Sequence, residues 1–254
     1  RISPMPTMSM PWGTMAYTDS GDAGAGSPTM LFLHGTGCDA GDWDAVIEAL
    51  PPTVRKLTLE FRGHGRSSVP VGPFTFSDLA DDVAQFIEAM KLRRVILVGH
   101  SLGGMVGMQV ARRGNDTPRC GDVAVLVLLE GWTRLGCMGK AFEGERFYGH
   151  LDASAIEAIT RKRDATMARF PAETWEHFWR SVREFDGSAF LSEARIPILE
   201  VYGGMGRVPG AEHELRVPEN LYIQTMWIPD AGHYLPIEKP FEVAKICADM
   251  AEFV

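Results

Sequence analysis

The residues Gly99-His100-Ser101-Leu102-Gly103 set a serine between two glycines at the spacing G-x-S-x-G. They follow an apolar, β-branched run, Arg94–Val98, and lead into a helical pattern, Leu102–Arg112. A sharp strand-to-helix corner of this kind lifts the serine hydroxyl above the edge of a sheet. Glycines two residues to either side leave no Cβ atoms to collide at the corner. The hydroxyl then sits at a helix N-terminus, where developing negative charge is favoured. That is a setting for nucleophilic attack on an acyl carbon. The bland alternative, a chance pentapeptide with a serine N-cap, is disfavoured by the strand before it and the helix after it.

Such a corner needs a sheet to stand on. From Thr29 to Glu130 short β-branched runs alternate with helical patterns. Strands are expected at Thr29–Leu33, Arg55–Phe61, Arg94–Val98 and Val123–Leu129, and helices at Asp42–Leu50, Ser77–Met90 and Leu102–Arg112. In the second helix Leu79, Val83, Phe86, Ile87 and Met90 recur at helical spacing, with Ser77 expected as N-cap. Strands that are apolar throughout, set between helices, point to a parallel sheet covered on both faces. Thr7–Thr18, with a turn near Trp12–Gly13, reads as an antiparallel hairpin leading into it.

After Glu130 the rhythm breaks, and residues 133–193 read as helices only, including Asp152–Phe170 and Ala172–Phe185. Strands return at Ile198–Tyr202 and Leu221–Ile228, and an amphipathic helix, Phe241–Phe253, closes the chain. The expected architecture is a mostly parallel, eight-stranded α/β sheet with helices on both faces and a helical cap insertion. The core is expected at residues 1–131 and 194–254 and the cap at 132–193.

Composition narrows the classes further. The 254 residues carry 25 Lys plus Arg against 33 Asp plus Glu, a formal charge of −8, with no long basic run. Nucleic-acid and anionic-membrane binding are therefore disfavoured. A 45% hydrophobic, 23% charged chain argues against disorder. No apolar run approaches the ~18 residues of a spanning helix, and Arg1–Met10 has no apolar signal-peptide core. The chain also lacks an initiator Met, so trimming is expected. Cys38, Cys120, Cys137 and Cys247 are far apart and form no Cys/His pair at zinc spacing. Reduced thiols, no bound metal and a cytoplasmic location are the expectation.

Several further segments join the serine corner: His34-Gly35 at the end of Thr29–Leu33, Arg62-Gly63-His64-Gly65-Arg66-Ser67, and Asp230-Ala231-Gly232-His233. Together with Ser101 they resemble the α/β-hydrolase superfamily over nearly the whole chain. The resemblance implies Ser101 as nucleophile, His233 as its base, and the backbone N–H groups of Thr36 and Leu102 as oxyanion donors. Of the other histidines, His34, His64 and His100 occupy motif positions suited to shaping the site. His150 and His177 fall in the insertion, and His213 follows Ile198–Tyr202.

The acid departs from the common pattern. Most relatives carry it in a G-x-x-D turn after the strand equivalent to Ile198–Tyr202, but here that turn reads Gly203-Gly204-Met205-Gly206-Arg207. A neutral imidazole still needs an acceptor to fix its tautomer and stabilise the imidazolium. Some family members, certain lactonases and dehalogenases among them, place the acid where Glu130 stands. Glu130 is therefore favoured, with Glu212, Glu214 and Asp230 as alternatives.

The insertion is expected to roof an apolar pocket with Trp132, Trp175, Phe178 and Trp179, with Phe147, Tyr148 and Met138 nearby, although a stripe at helical spacing more often serves packing; Arg207 is a candidate for meeting a single carboxylate. The implied activity is cofactor-free serine hydrolysis of a small to medium, partly apolar carboxylic ester or lactone. Three alternatives stay open: a carbon–carbon bond hydrolase, a cofactor-independent ring-cleaving dioxygenase on the same fold, and a ligand-binding receptor with a residual triad. The only partner expected is a small-molecule substrate, and the oligomeric state, homodimer included, is open.

Overall fold

The structure, a computed structural model, describes residues 5–24, 26–116, 123–142, 145–205 and 212–254. The chain opens with the expected hairpin, β1 (Thr7–Met10) and β2 (Gly13–Asp19), paired antiparallel. Then follow β3 (Thr29–Leu33), α1 (Asp44–Ala49), β4 (Arg55–Leu59), α2 (Phe76–Ala89), β5 (Val95–His100), α3 (Leu102–Asp116) and β6 (Val123–Leu129). Among the described residues, a 3-10 helix (Leu135–Phe142) and the helices α4 (Glu145–Tyr148), α5 (Ala153–Met167), α6 (Ala172–Glu184) and α7 (Ser188–Glu193) separate β6 from β7 (Ile198–Gly203). The chain ends with α8 (Glu212–Leu215), β8 (Ile223–Ile228), α9 (Leu235–Glu238) and α10 (Pro240–Met250).

The eight strands form one sheet in the order β1-β2-β4-β3-β5-β6-β7-β8. The β1–β2 and β2–β4 pairs are antiparallel and the other five are parallel. The apolar strands serve two layers at once. In β5, Val95 and Leu97 join the core beneath α2, α3 and the helical insertion, whereas Ile96 and Val98 join the core under α1 and α10. β6 divides in the same way, with Leu126 and Leu128 on the first face and Val125, Val127 and Leu129 on the second. Each fully buried aliphatic side chain contributes about 1.5–3 kcal/mol, so both faces are strongly driven to stay covered.

The start of α2 differs from expectation. Its N-cap is Thr75, not Ser77, and Thr75 and Asp78 exchange side-chain-to-backbone hydrogen bonds in a capping box. Moving the start back buries Phe76 in the helix's first turn, against Phe185 of the insertion. The insertion is also held by charge: Lys162 of α5 reaches Asp39 and Asp42, each at 2.7 Å. Burial works against the ammonium there, but the two carboxylates outweigh it and hold its pKa above the ordinary lysine value.

Cys38, Cys137 and Cys247 are buried and carry no disulfide, while Cys120 lies outside the described residues. Among the described residues, no helix is long and apolar enough to cross a membrane, and no group of His, Cys, Asp and Glu is arranged to hold a metal ion.

Candidate active site

Ser101 sits on the corner between β5 and α3 with φ +54°, a left-handed conformation in a non-glycine residue. Its N–H is tied to the Leu129 carbonyl of β6 at 2.8 Å. The two flanking glycines are demanded by close backbone approach. A Cβ on Gly99 would lie 2.4 Å from the Gly103 carbonyl oxygen, and one on Gly103 would lie 2.2 Å from that of Leu33. Holding a serine in the left-handed region costs roughly 1–3 kcal/mol, and the sheet contacts on both sides keep it there.

The corner borders a cavity of about 470 Å³, also lined by Thr36, Leu102, Trp132, Trp179 and His233. Thr36 follows the His34-Gly35 pair at the end of β3, and Leu102 is the first residue of α3. Both expected oxyanion donors thus stand at the cavity. The N–H groups of a helix's first turn have no intrahelical acceptor, so the start of α3 can receive an anion.

His233 lies between β8 and α9 and is 4% exposed. Its Nδ1 is 3.6 Å from Oε2 of Glu130, which is 1% exposed. Glu130 follows the last residue of β6 with φ +54°, and its other oxygen, Oε1, accepts the Gly203 N–H at 2.7 Å. The carboxylate therefore lies between the histidine and the end of β7, where the usual acid loop begins. Among the rival acids, Glu214 and Asp230 are exposed. The Glu212 side chain, Gly206 and Arg207 lie outside the described residues.

The other motif histidines are engaged elsewhere. His34 Nε2 accepts the Phe61 N–H at 3.0 Å while Nδ1 donates to the Gly35 carbonyl at 2.7 Å. Burial lowers its pKa to about 4. His64 Nδ1 donates to the Arg62 carbonyl, and burial brings this ring to about 3. His100 Nε2 donates to the His233 carbonyl at 2.8 Å, and burial, then the neighbouring His233, holds its pKa well below the ordinary value. All three are neutral framing groups near pH 7. His150 and His177 are exposed, and the His213 side chain lies outside the described residues.

Two rings lie almost parallel to the His233 imidazole: Trp132 at 5.3 Å and 12°, and Phe147 at 5.1 Å and 15° between centroids and planes. Offset aromatic contacts restrict the ring's rotation. Trp175, expected in the pocket wall, is not among the cavity-lining residues. Its ring packs on Phe170 and Phe178, and its Nε1 donates to the Met167 carbonyl at 2.9 Å. One face of α6 carries Trp175 and Phe178 into the core, and Trp179, one residue further round, reaches the cavity. Phe147 and Tyr148 do line it, whereas Phe178 and Met138 do not. Tyr234, Cys38, Met105 and Arg163 line it without having been expected. Only Tyr234 carried a signal, its place beside His233.

A family model described as the alpha/beta hydrolase family matches residues 30–246. The chain belongs to the alpha/beta hydrolase family. A relative from Azorhizobium caulinodans, named "Putative carbamate hydrolase RutD", is 27% identical over 248 residues, covering 85% of this chain and 88% of its own. 3-Oxoadipate enol-lactonase 1 of Acinetobacter baylyi is 23% identical over 235 residues, 87% of each chain. Among solved structures, the enol-lactonase from Burkholderia xenovorans superposes with a TM-score of 0.73 at 22% identity, covering 96% of this chain and 99% of its own. This last likeness speaks to the shared hydrolase fold.

Proposed function

We propose that this alpha/beta hydrolase cleaves a small to medium, partly apolar carboxylic ester or lactone through an acyl-enzyme on Ser101. The observation that carries the reading is convergence. A serine on a strained corner and a histidine backed by a buried carboxylate border one cavity, with Met105, Leu135 and Val182 among its walls. Relatives named for lactone and carbamate hydrolysis support the same reaction class.

In the first half-reaction Ser101 Oγ bonds the acyl carbon as its proton passes to His233, and the carbonyl electron pair moves onto oxygen. The Thr36 and Leu102 N–H groups hold that oxyanion, and losing one such donor typically costs ~10²–10³ in turnover. The adduct collapses, the alcohol departs with the proton from His233, and in a lactone the alcohol stays tethered to the acyl group. In the second half His233 takes a proton from water as its oxygen attacks the ester carbon, and Ser101 leaves with that proton. Glu130 holds the ring's tautomer and stabilises the imidazolium in both halves. On this reading the insertion is a cap that keeps the acyl-enzyme in an apolar chamber.

A panel of carboxylic esters and lactones, assayed with and without dioxygen, tests the proposal. Hydrolysis at equal rates in both atmospheres is the expected result. Turnover that requires dioxygen would instead place the His233–Glu130 pair in ring-cleaving chemistry. No turnover of any member in either atmosphere would favour a binding protein.

A further inference from the structure

The loop that carries His233 is not held by the sheet alone. Its neighbour Gly232 donates its N–H to Oε2 of Glu238 at 2.6 Å. The other oxygen of the same carboxylate, Oε1, accepts the N–H of His150 at 2.6 Å, from the insertion. Glu238 therefore spans two chain segments that lie 88 and 6 residues away from it in sequence. Both distances are at the short end for charge-assisted hydrogen bonds.

The surrounding backbone is shaped to this carboxylate. Gly149 has φ +58°, and a Cβ built on it would lie 2.2 Å from Oε1 and 2.3 Å from Oε2 of Glu238. A Cβ on Gly232 would lie 2.5 Å from the Gly149 nitrogen and 2.8 Å from the Arg146 carbonyl oxygen. The His233 N–H itself donates to the Phe147 carbonyl at 3.1 Å, and the Phe147 ring lies along the imidazole. Residues 146–150 of the insertion and 231–233 of the histidine loop are thus one interlocked unit, with Glu238 as its fastening.

We infer that Glu238 is a positioning residue for His233, clamping the histidine loop to the insertion so that the imidazole is presented to Ser101 only when the insertion is seated. This rests on the serine-hydrolase reading above for its effect on turnover. Glu238 touches no reacting atom. It sits at the end of the single turn α9 that begins two residues after the histidine, so its carboxylate reaches back over the loop. A glutamine there keeps one acceptor but turns an NH₂ toward one of the two N–H donors, which opens the clamp without removing bulk.

The test pairs turnover with hydrogen exchange on the intact protein. In Glu238→Gln, kcat per titrated active site is expected to fall about tenfold to a hundredfold, with KM little changed. Exchange should rise together in residues 146–150 and 230–235 and stay unchanged in β3, β5 and β6. Gly149→Ala should give the same pattern from the insertion side, and its effect should shrink in a Glu238→Ala background, where the carboxylate it collides with is gone. A kcat within about twofold of the parent, or exchange that rises in one segment only, would overturn the clamp. If the parent protein turns over no ester or lactone, it is the hydrolase reading that fails, and the exchange pattern still decides the clamp.

Discussion

Ser101 and His233 meet at one cavity but are held there by different parts of the molecule. The serine is fixed by the sheet: its N–H is bound to β6, and its flanking glycines are pressed against β3 and α3. No residue of the helical insertion takes part in those contacts. The histidine is fixed from three directions. Glu130 of the β6 end lies at Nδ1, Trp132 and Phe147 lie along its ring, and the insertion's backbone takes its N–H. Disturbing the insertion should therefore spare the geometry of Ser101 and degrade that of His233. The placement of Ser101 belongs to the sheet, and the placement of His233 belongs to the docking of one part of the fold on another.

The largest expected effect breaks the serine side outright. Ser101→Ala should lower turnover by ~10⁵ or more, with melting temperature little changed, because alanine keeps the Cβ and with it the left-handed strain of the corner. Glu130→Gln comes next, with turnover down by about 10²–10⁴ and folding intact. Near-normal kinetics in that variant would move the acid role to the chain after Tyr202. Steady-state kinetics with an ester from the panel, together with thermal melting, checks both.

A third prediction probes the core beneath both regions by pH. Glu200 of β7 is fully buried, Tyr202 donates its hydroxyl to Oε2, and burial raises the carboxyl pKa to about 7. The folded state then holds a proton that the unfolded state releases above the ordinary value of 4.5, so stability from this group falls as pH rises from 4.5 to about 7. The full loss is roughly 3 kcal/mol. His34 and His64 act with opposite sign. Their lowered pKa values mean that stability falls as pH drops below 6.5 toward about 4 and about 3. In Glu200→Gln, denaturant unfolding between pH 4.5 and 7 should lose the downward contribution and keep the histidine one. An unchanged pH profile would contradict the buried-carboxyl assignment.

The smallest effect sharpens the histidine side. Trp132→Leu removes one of the two rings lying along the imidazole, and a roughly tenfold fall in kcat is expected, since such aromatic contacts contribute about 0.5–2 kcal/mol. Labelling of Ser101 by a small, highly reactive fluorophosphonate should change less than turnover of an ester with a poor leaving group, because the latter leans harder on the imidazolium. Equal losses in both would mean that the tryptophan acts through the pocket wall and not through the base.

The sheet was legible because its signals are local. Continuous apolar strands, helical periodicity and the glycines of the corner each report on a few neighbouring residues. Ser101 was visible for the same reason, as was the vacancy of the usual acid position. The bridge from Glu130 Oε1 to the Gly203 N–H was not, because it depends on a left-handed residue at a strand end and on a register between β6 and β7. The placing of Trp175 in the core and of Trp179 at the cavity is not legible, because an aromatic stripe on α6 does not say which of its members turns into the core. The Glu238 contacts join residues 88 positions apart through backbone N–H groups, which leave no trace in side-chain pattern.

The most direct test of the account is to trap the covalent intermediate. The protein is mixed with a good ester substrate, quenched in acid within the first turnover, and digested for peptide mass spectrometry. An added acyl mass on Ser101, absent in Ser101→Ala and longer-lived in Glu130→Gln, is the expected result. Rapid turnover with no acyl group on Ser101 at any quench time, or with the acyl group on another residue, would contradict it.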